Sequence, residues 1–159
     1  MRGLSPRHRV EVTVDPAYAR RVEATLLRDA VIATLRARRL RRSRSVSVTL
    51  TGTQAVRRLN RRYLGLDEAT DVLSFVTEFP GLRRPDGAVE LGAIIVAAPV
   101  AARGARARGV TLADELALLV CHGTLHLLGF DHATPREDAV MRARERAALT
   151  RLGRPQAAR

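Results

Sequence analysis

Two short stretches alternate strictly between apolar and polar side chains, and a helical stripe separates them. Val10, Val12 and Val14 are spaced by Glu11 and Thr13, and Val46, Val48 and Leu50 by Ser47 and Thr49. A period of two puts the apolar residues on one face, so each stretch predicts a half-buried strand. Between them Val22, Leu26, Ala30 and Ala33, flanked by Leu27 and Val31, recur at helical spacing. Asp15 followed by Pro16 reads as an N-cap and a first helical residue, which starts the helix there and runs it into the Arg-rich segment near residue 40. Elements with one apolar face each are stable only when stacked in layers around a shared core.

The rest of the chain continues the pattern. Thr53 can cap a short helix with Val56, Leu59 and Tyr63 inward, stopped at Gly65. Asp71–Val76 reads as a short strand, 80–87 as turns, and Leu91–Val96 as a strand buried on both faces. Pro99–Arg108 forms a helix closed by Gly109. Thr111 and Asp114 resemble a capping box opening a helix through Leu116, Leu119 and Val120 to Gly129. Thr134, Pro135 and Glu137 start a last helix that Gly153 ends. No internal repeat or long linker is visible, and only the first few residues and the tail 154–159 look loose. The expectation is one α+β domain over residues 1–159, with a small mixed sheet of about four strands and about five helices in layers.

Composition limits what such a domain does. The chain has 159 residues, 46% hydrophobic and 28% charged, enough to bury about 68–70% of its unfolded surface. No apolar run approaches the roughly 18 residues of a membrane span, and MRGLSPRHRVEV lacks the apolar stretch of a signal peptide, so a cytoplasmic protein with no membrane partner is expected. Its single cysteine, Cys121, excludes an internal disulfide and a cysteine-built zinc site, and argues against redox chemistry. All 28 basic residues are Arg, against 16 acids. Residues 1–44 hold 12 Arg and 4 acids, and Arg36, Arg38, Arg39, Arg41, Arg42 and Arg44 follow one another with no acid between. Such a stretch attracts a polyanion such as RNA, or is simply a solvated helix end and loop.

Three of the four histidines fall within eleven residues, in the string His122-Gly-Thr-Leu-His126-Leu-Leu-Gly129-Phe-Asp-His132. An i, i+4 pair places two imidazoles on one helix face about 5–6 Å apart. Gly129 allows the helix to end in a left-handed residue, and the chain then turns back so that His132 supplies a third nitrogen. Three nitrogen ligands suit Zn²⁺ and leave a fourth position open, the mark of a catalytic rather than a bracing metal. The surrounding leucines make unpaired imidazoles costly there, a cost that ligation removes. Gly123 inside a helix suggests a close approach of substrate or of another segment. Metzincin proteases share this histidine spacing but carry a glutamate as general base where Gly123 stands, which argues against peptide hydrolysis. Asp131 either orients an imidazole or accepts a local backbone hydrogen bond, Glu115 reads as solvated or paired with Arg, and Cys121 reads as a small buried hydrophobe.

The string from His122 to His132 closely resembles the H-G-x-L-H-L-x-G-[YF]-D-H signature of the YbeY family, single-domain zinc-dependent endoribonucleases implicated in ribosomal RNA maturation. Leu59-Asn60 with Thr70-Asp71-Val72-Leu73-Ser74-Phe75 resembles the L-N and T-D-V-L-S-F segments of that family, and Leu91-Gly92 before an apolar strand fits its next block. The resemblance covers roughly residues 45–140. It implies an α+β fold, one Zn²⁺ held by His122, His126 and His132, and cleavage of single-stranded RNA, including late processing near the 3′ end of small-subunit ribosomal RNA and ribosome quality control. It also implies ribosomal RNA, ribosomal proteins or the small subunit as partners. Ala69 and Val76 stand where the family commonly has Pro, Ala93 where it has an acid, and Leu64 where many members carry Arg. If that Arg contacts phosphate, its role here passes to a neighbour such as Arg61 or Arg62, or activity is weakened. Asp71 and Ser74 either reach the substrate cleft or merely face their strand. No side chain stands out as general base, which leaves the water on the zinc as the reacting group. A non-catalytic zinc-containing assembly factor and, less favoured, a zinc peptide hydrolase are the competing readings.

Overall fold

The two alternating stretches pair side by side in parallel, Val10 opposite Val46 and Val14 opposite Leu50. The computed structural model describes residues 6–159; the first few residues, expected to be loose, lie outside the described part apart from Pro6 onward. Strands β1 (Arg9–Val14), β2 (Arg44–Thr51), β3 (Val72–Val76) and β4 (Val89–Ala97) form one sheet in the order β1-β2-β4-β3. β1, β2 and β4 run parallel, and β3 joins β4 antiparallel at the edge. Helices α1 (Ala24–Ala37), α4 (Leu112–Leu127) and α5 (Pro135–Arg151) pack together on one face. α2 (Thr53–Leu64) lies on the other face against β3 and β4, and α3 (Ala98–Arg108) follows β4 and packs chiefly against α4, with Ala98 and Ala101 in the main core. The mixed sheet with five helices is the α+β architecture the sequence led one to expect.

The helix after β1 starts later than Asp15-Pro16 suggested. The Asp15 carboxylate accepts the N–H of Ala17 at 2.9 Å, an Asx-turn spacing rather than the reach to the second or third residue of a helix. Tyr18 and Arg21 N–H then close successive turns on the carbonyls of Asp15 and Tyr18, and Val22 enters the core before α1 begins. The chain uses these turns to cross from the end of the sheet to the helical layer. α2 also differs in detail. Gly52, not Thr53, precedes it, Gly65 closes it at φ 71°, and Tyr63 is 57% exposed instead of inward. β4 is fully buried only in its second half: Ile94 and Val96 enter the main core and Ala97 packs with Val56 of α2, while Ile95 on the α2 side stays partly buried.

Gly92 sits where the pairing of β4 with β2 changes register. It adopts φ +139°, and a Cβ at that position would sit 2.0 Å from the carbonyl oxygen of Phe75 on the neighbouring strand. The register also slips here, Ser45 facing Glu90 but Val46 facing Gly92, so Leu91 forms a bulge whose carbonyl accepts the N–H of Thr77.

α4 is the spine of the core, with every residue from Asp114 to Leu125 buried. Its start is capped by the Thr111 hydroxyl, which accepts the Asp114 N–H at 3.1 Å, but the reciprocal half of the capping box is missing because the Asp114 carboxylate turns to Arg154 and Gln156 at 2.8 and 2.9 Å. α5 has the complete box between Thr134 and Glu137. The segment 154–159, expected to be loose, is docked. Arg108 bridges Glu115 to the carbonyl of Ala157, Ala157 is fully buried, and Pro155–Ala157 forms a single 3-10 turn. Charged and apolar anchors alternate along it, a pattern too short to register as periodicity. Among the described residues no single helix is long and apolar enough to cross a bilayer.

Burial is the largest influence on Asp114 and raises its carboxyl, but the hydrogen bonds from Arg154 and Thr111 together with the Arg154 charge outweigh it and hold the group below the usual carboxylate range. A folded-state value below the unfolded one stabilises the fold above the unfolded value and is lost as pH falls through the folded one. Asp114→Asn should therefore be less stable than wild type at neutral pH, with the gap closing below about pH 4. Urea unfolding midpoints across pH test this; a gap that persists undiminished into acid would show that Asp114 does not anchor the tail by its charge.

Candidate metal centre

The histidine string folds as its glycines require. His122 and His126 lie one turn apart on the last two turns of α4, with ring centroids 4.5 Å apart. Gly129 takes φ +92°, and the N–H groups of Gly129 and Phe130 close on the carbonyls of His126 and Leu125. That turn brings His132 back, its ring centroid 5.3 Å from His122 and 5.1 Å from His126. One nitrogen from each ring lies within 4.8 Å of the others. His122 is buried, His126 half-buried and His132 exposed, so the cluster opens to solvent on the His132 side.

The donor set fits a metal ion. The Nε2 atoms of His122 and His126 are 3.0 Å apart, and two imidazole lone pairs cannot face each other at that distance without a proton or a cation between them. Tetrahedral metal–nitrogen bonds of about 2.0–2.1 Å hold two nitrogens about 3.3 Å apart, close to the spacing present. Burial first, and then the neighbouring His122 and His132, lower the pKa of His126, which favours the neutral form that ligates.

Glu145, which the sequence reading did not single out, completes the centre. Its Oε1 lies 2.6 Å from Nδ1 of His122, and the side chain is almost wholly buried. With Nδ1–H donated to this carboxylate, Nε2 of His122 carries the lone pair and faces the other two rings. Arg159 Nη2 stands 3.3 Å from the same oxygen, while Oε2 is buried without a partner. Burial pushes the Glu145 carboxyl up most strongly, but the hydrogen bond from His122 and the charge of Arg159 outweigh it and leave the group below its ordinary value. Glu145 sits between Arg144 and Arg146 in the sequence, a charged run that conceals it. Its spacing from Met141, Ala148 and Leu149, the buried stripe of α5, is the signal that marks it as interior.

The other expected site residues divide. Asp71 lines a cavity of about 270 Å³ with Val72, His122, His132, Arg142 and Arg159. Its Oδ1 accepts the Val72 N–H at 2.8 Å, which fixes the carboxylate at the cavity wall. The Ser74 hydroxyl donates to the carbonyl of Gly123 at 3.3 Å, and Ser74 lines a separate groove with Tyr63 and Phe75. Arg61 and Arg62 lie on the exposed side of α2, away from the residues lining the metal cavity, with the Arg62 guanidinium 5.4 Å from the centre of the Tyr63 ring. The close approach expected at Gly123 is to the sheet: a Cβ there would lie 3.0 Å from Ile94 Cγ2 and from Ser74 Oγ. Asp131 is a local acceptor for the His132 N–H at 2.8 Å, Glu115 pairs with Arg108, and Cys121 is buried with its thiol pushed up to about 12 by desolvation.

A single mixed-sheet α+β domain carries here three histidines that could hold a metal ion, one of them backed by a buried carboxylate. The profile of the family described as Endoribonuclease YbeY matches residues 14–153, and the chain belongs to that family. A protein named Endoribonuclease YbeY from Roseiflexus castenholzii is 43% identical over 147 residues, covering 91% of this chain and 92% of the relative. One of the same name from Moorella thermoacetica is 47% identical over 113 residues, covering 68% and 72%. The solution structure of a Thermotoga maritima protein superposes with a TM-score of 0.57 over 93% of this chain and 94% of that one, at 20% identity, a likeness of fold.

If Glu145 orients His122 for ligation, Glu145→Gln, which keeps the shape and removes the charge, should weaken metal binding by about 10–100-fold. Competition against a chromophoric chelator measures this directly, and an unchanged affinity in a folded variant would remove Glu145 from the centre.

Proposed function

We propose that the domain spanning residues 1–159 is a zinc-dependent endoribonuclease that cuts single-stranded RNA during ribosomal RNA maturation, in late 3′-end processing of the small subunit, and in ribosome quality control. Family membership makes the chain a nuclease of the hydrolase class. The observation that carries the rest is the convergence of three imidazole nitrogens beside a cavity open to solvent. His122, His126 and His132 would hold one Zn²⁺. A bound zinc supplies Lewis acidity, activating water and polarising a phosphoryl oxygen. Glu145 holds His122 in the tautomer that ligates. Asp71 stands at the cavity wall, where it meets the substrate or a water hydrogen-bonded to it. Arg61 and Arg62 bind phosphates of a strand that reaches α2, in the place of the Arg the family often carries where Leu64 stands, and Ser74 borders the groove between them. The setting of this work is the cytoplasm, with the small ribosomal subunit and its proteins as partners.

A second reading, a non-catalytic zinc-containing assembly factor, is favoured by one feature: the carboxylate nearest the histidines, Glu145, is committed behind His122 and is not free to take a proton from water. Peptide hydrolysis in the metzincin manner is disfavoured, because a glutamate in place of Gly123 would collide with Ile94 and Ser74.

Cleavage of a labelled single-stranded RNA by wild type and by His126→Ala, purified in parallel, separates these readings. Loss of several kcal/mol of metal assistance should slow the variant by about a thousandfold. Equal cutting by both preparations, or none by either with zinc present, would favour the assembly factor.

A further inference from the structure

The arginine segment between α1 and β2 reaches the turn beside the histidines through one residue, Arg38, although sequence places the two some ninety residues apart. Arg38, at the end of α1, sets its guanidinium carbon 4.9 Å from the centre of the Phe130 ring, within cation–π range. Phe130 belongs to the turn that carries His132, so the arginine segment and the third ligand are held by one contact. Arg39 takes φ +50°, turning the chain out of the helix, and Arg44 donates to the carbonyls of Arg42 and Ser43, which draws the segment into a compact loop. Arg36, Arg39, Arg41 and Arg42 are exposed. Among the described residues, no carboxylate pairs with any of these four.

Arginines without a carboxylate partner also occur elsewhere among the described residues, at Arg20, Arg61, Arg62, Arg103 and Arg106 for example; what sets this segment apart is its density, five arginines from 38 to 44 with no acid between them. Arg57, Arg84, Arg108, Arg142 and Arg154 each hold a carboxylate within salt-bridge distance. Unpaired guanidiniums gathered on one short loop repel one another and have their natural complement in the regularly spaced phosphates of a nucleic acid strand. α1 and α4 share a face of the sheet opposite to α2, so a strand lying on this loop reaches the histidines without crossing to Arg61 and Arg62.

We propose that the loop of residues 38–43 is a phosphate rail for the RNA strand, binding the backbone on one side of the position being cut. The inference rests on the nuclease reading for its substrate and adds to it the surface that holds the strand. Arg39, Arg41 and Arg42 grip phosphates without reading bases, and the contact of Arg38 with Phe130 keeps the rail in register with His132. Strands too short to extend beyond the histidines do not use it.

The test is binding of a fluorescent single-stranded RNA of about twelve nucleotides, followed by anisotropy across a salt series. His126→Ala serves as the parent protein so that the strand stays intact, and circular dichroism confirms that each variant is folded. The loop variant carries Arg39→Gln, Arg41→Gln and Arg42→Gln. A control with the same loss of charge carries Arg20→Gln, Arg103→Gln and Arg106→Gln, around the other end of the sheet. Each phosphate contact on a single strand contributes about 0.7 to the slope of log K against log salt, so the loop variant should lose about 2 from that slope, equally for different base sequences. The control should lose much less, and a dinucleotide should bind parent and loop variant alike. An unchanged slope, the same loss in loop variant and control, or a parent that does not bind RNA at all would each overturn the proposal. Failure of the nuclease reading looks different: wild type would bind RNA through the loop and leave it uncut.

Discussion

Helix α4 touches the sheet through a residue with no side chain, and much of the molecule follows from that contact. Ile94 and Ser74 occupy the space a Cβ on Gly123 would need. The approach buries α4 on all sides, so each polar group along it has to find a partner inside the protein. Thr124 returns its hydroxyl to the carbonyl of Val120, Glu115 takes Arg108, Asp114 takes Arg154 and Gln156, and His122 takes Glu145. Three of those partners, Glu145, Arg154 and Gln156, come from α5 and the segment after it. The docking of the tail and the backing of the metal centre are thus two answers to one packing constraint.

The same contact settles what chemistry the histidine spacing can support. In a helix set this close to a sheet, any side chain at the position after the first histidine presses on Ile94 and Ser74, which disfavours a carboxylate there. The negative charge needed near the imidazoles arrives from behind. Glu145 is costly to bury, and it is tolerated because His122 and Arg159 share one of its oxygens. A carboxylate in that place strengthens an imidazole as a ligand and has no path to a water on the open side.

The features carried by short-range rules were legible from sequence: the alternation of β1 and β2, the left-handed glycines at 65, 109, 129 and 153, the capping box of α5, and the histidines brought together by i, i+4 spacing and a turn. Asp15-Pro16 misled because the same two residues serve an Asx-turn as well as a helix start, and only the distance the chain must cover to the helical layer chooses between them. Glu145 and the tail were hidden for a different reason. Both are anchored by polar side chains whose partners lie 23 to 42 residues away in the chain, at His122 and Asp114, and such pairings leave no local pattern. Arg61 and Arg62 illustrate the converse, since their nearness in sequence to a family motif does not bring them to the cavity wall.

The donor set contains nitrogen and no sulfur, and the one thiol of the chain is sealed beneath α1 with its proton held up to about pH 12. A thiolate site loses its ion when an oxidant attacks a ligand. Imidazoles lack that sulfur, so an ion held here would yield to acid and to chelators sooner than to peroxide. A cell under oxidative stress would strip zinc from cysteine-built domains first, and a centre of this composition would keep its metal through the same episode.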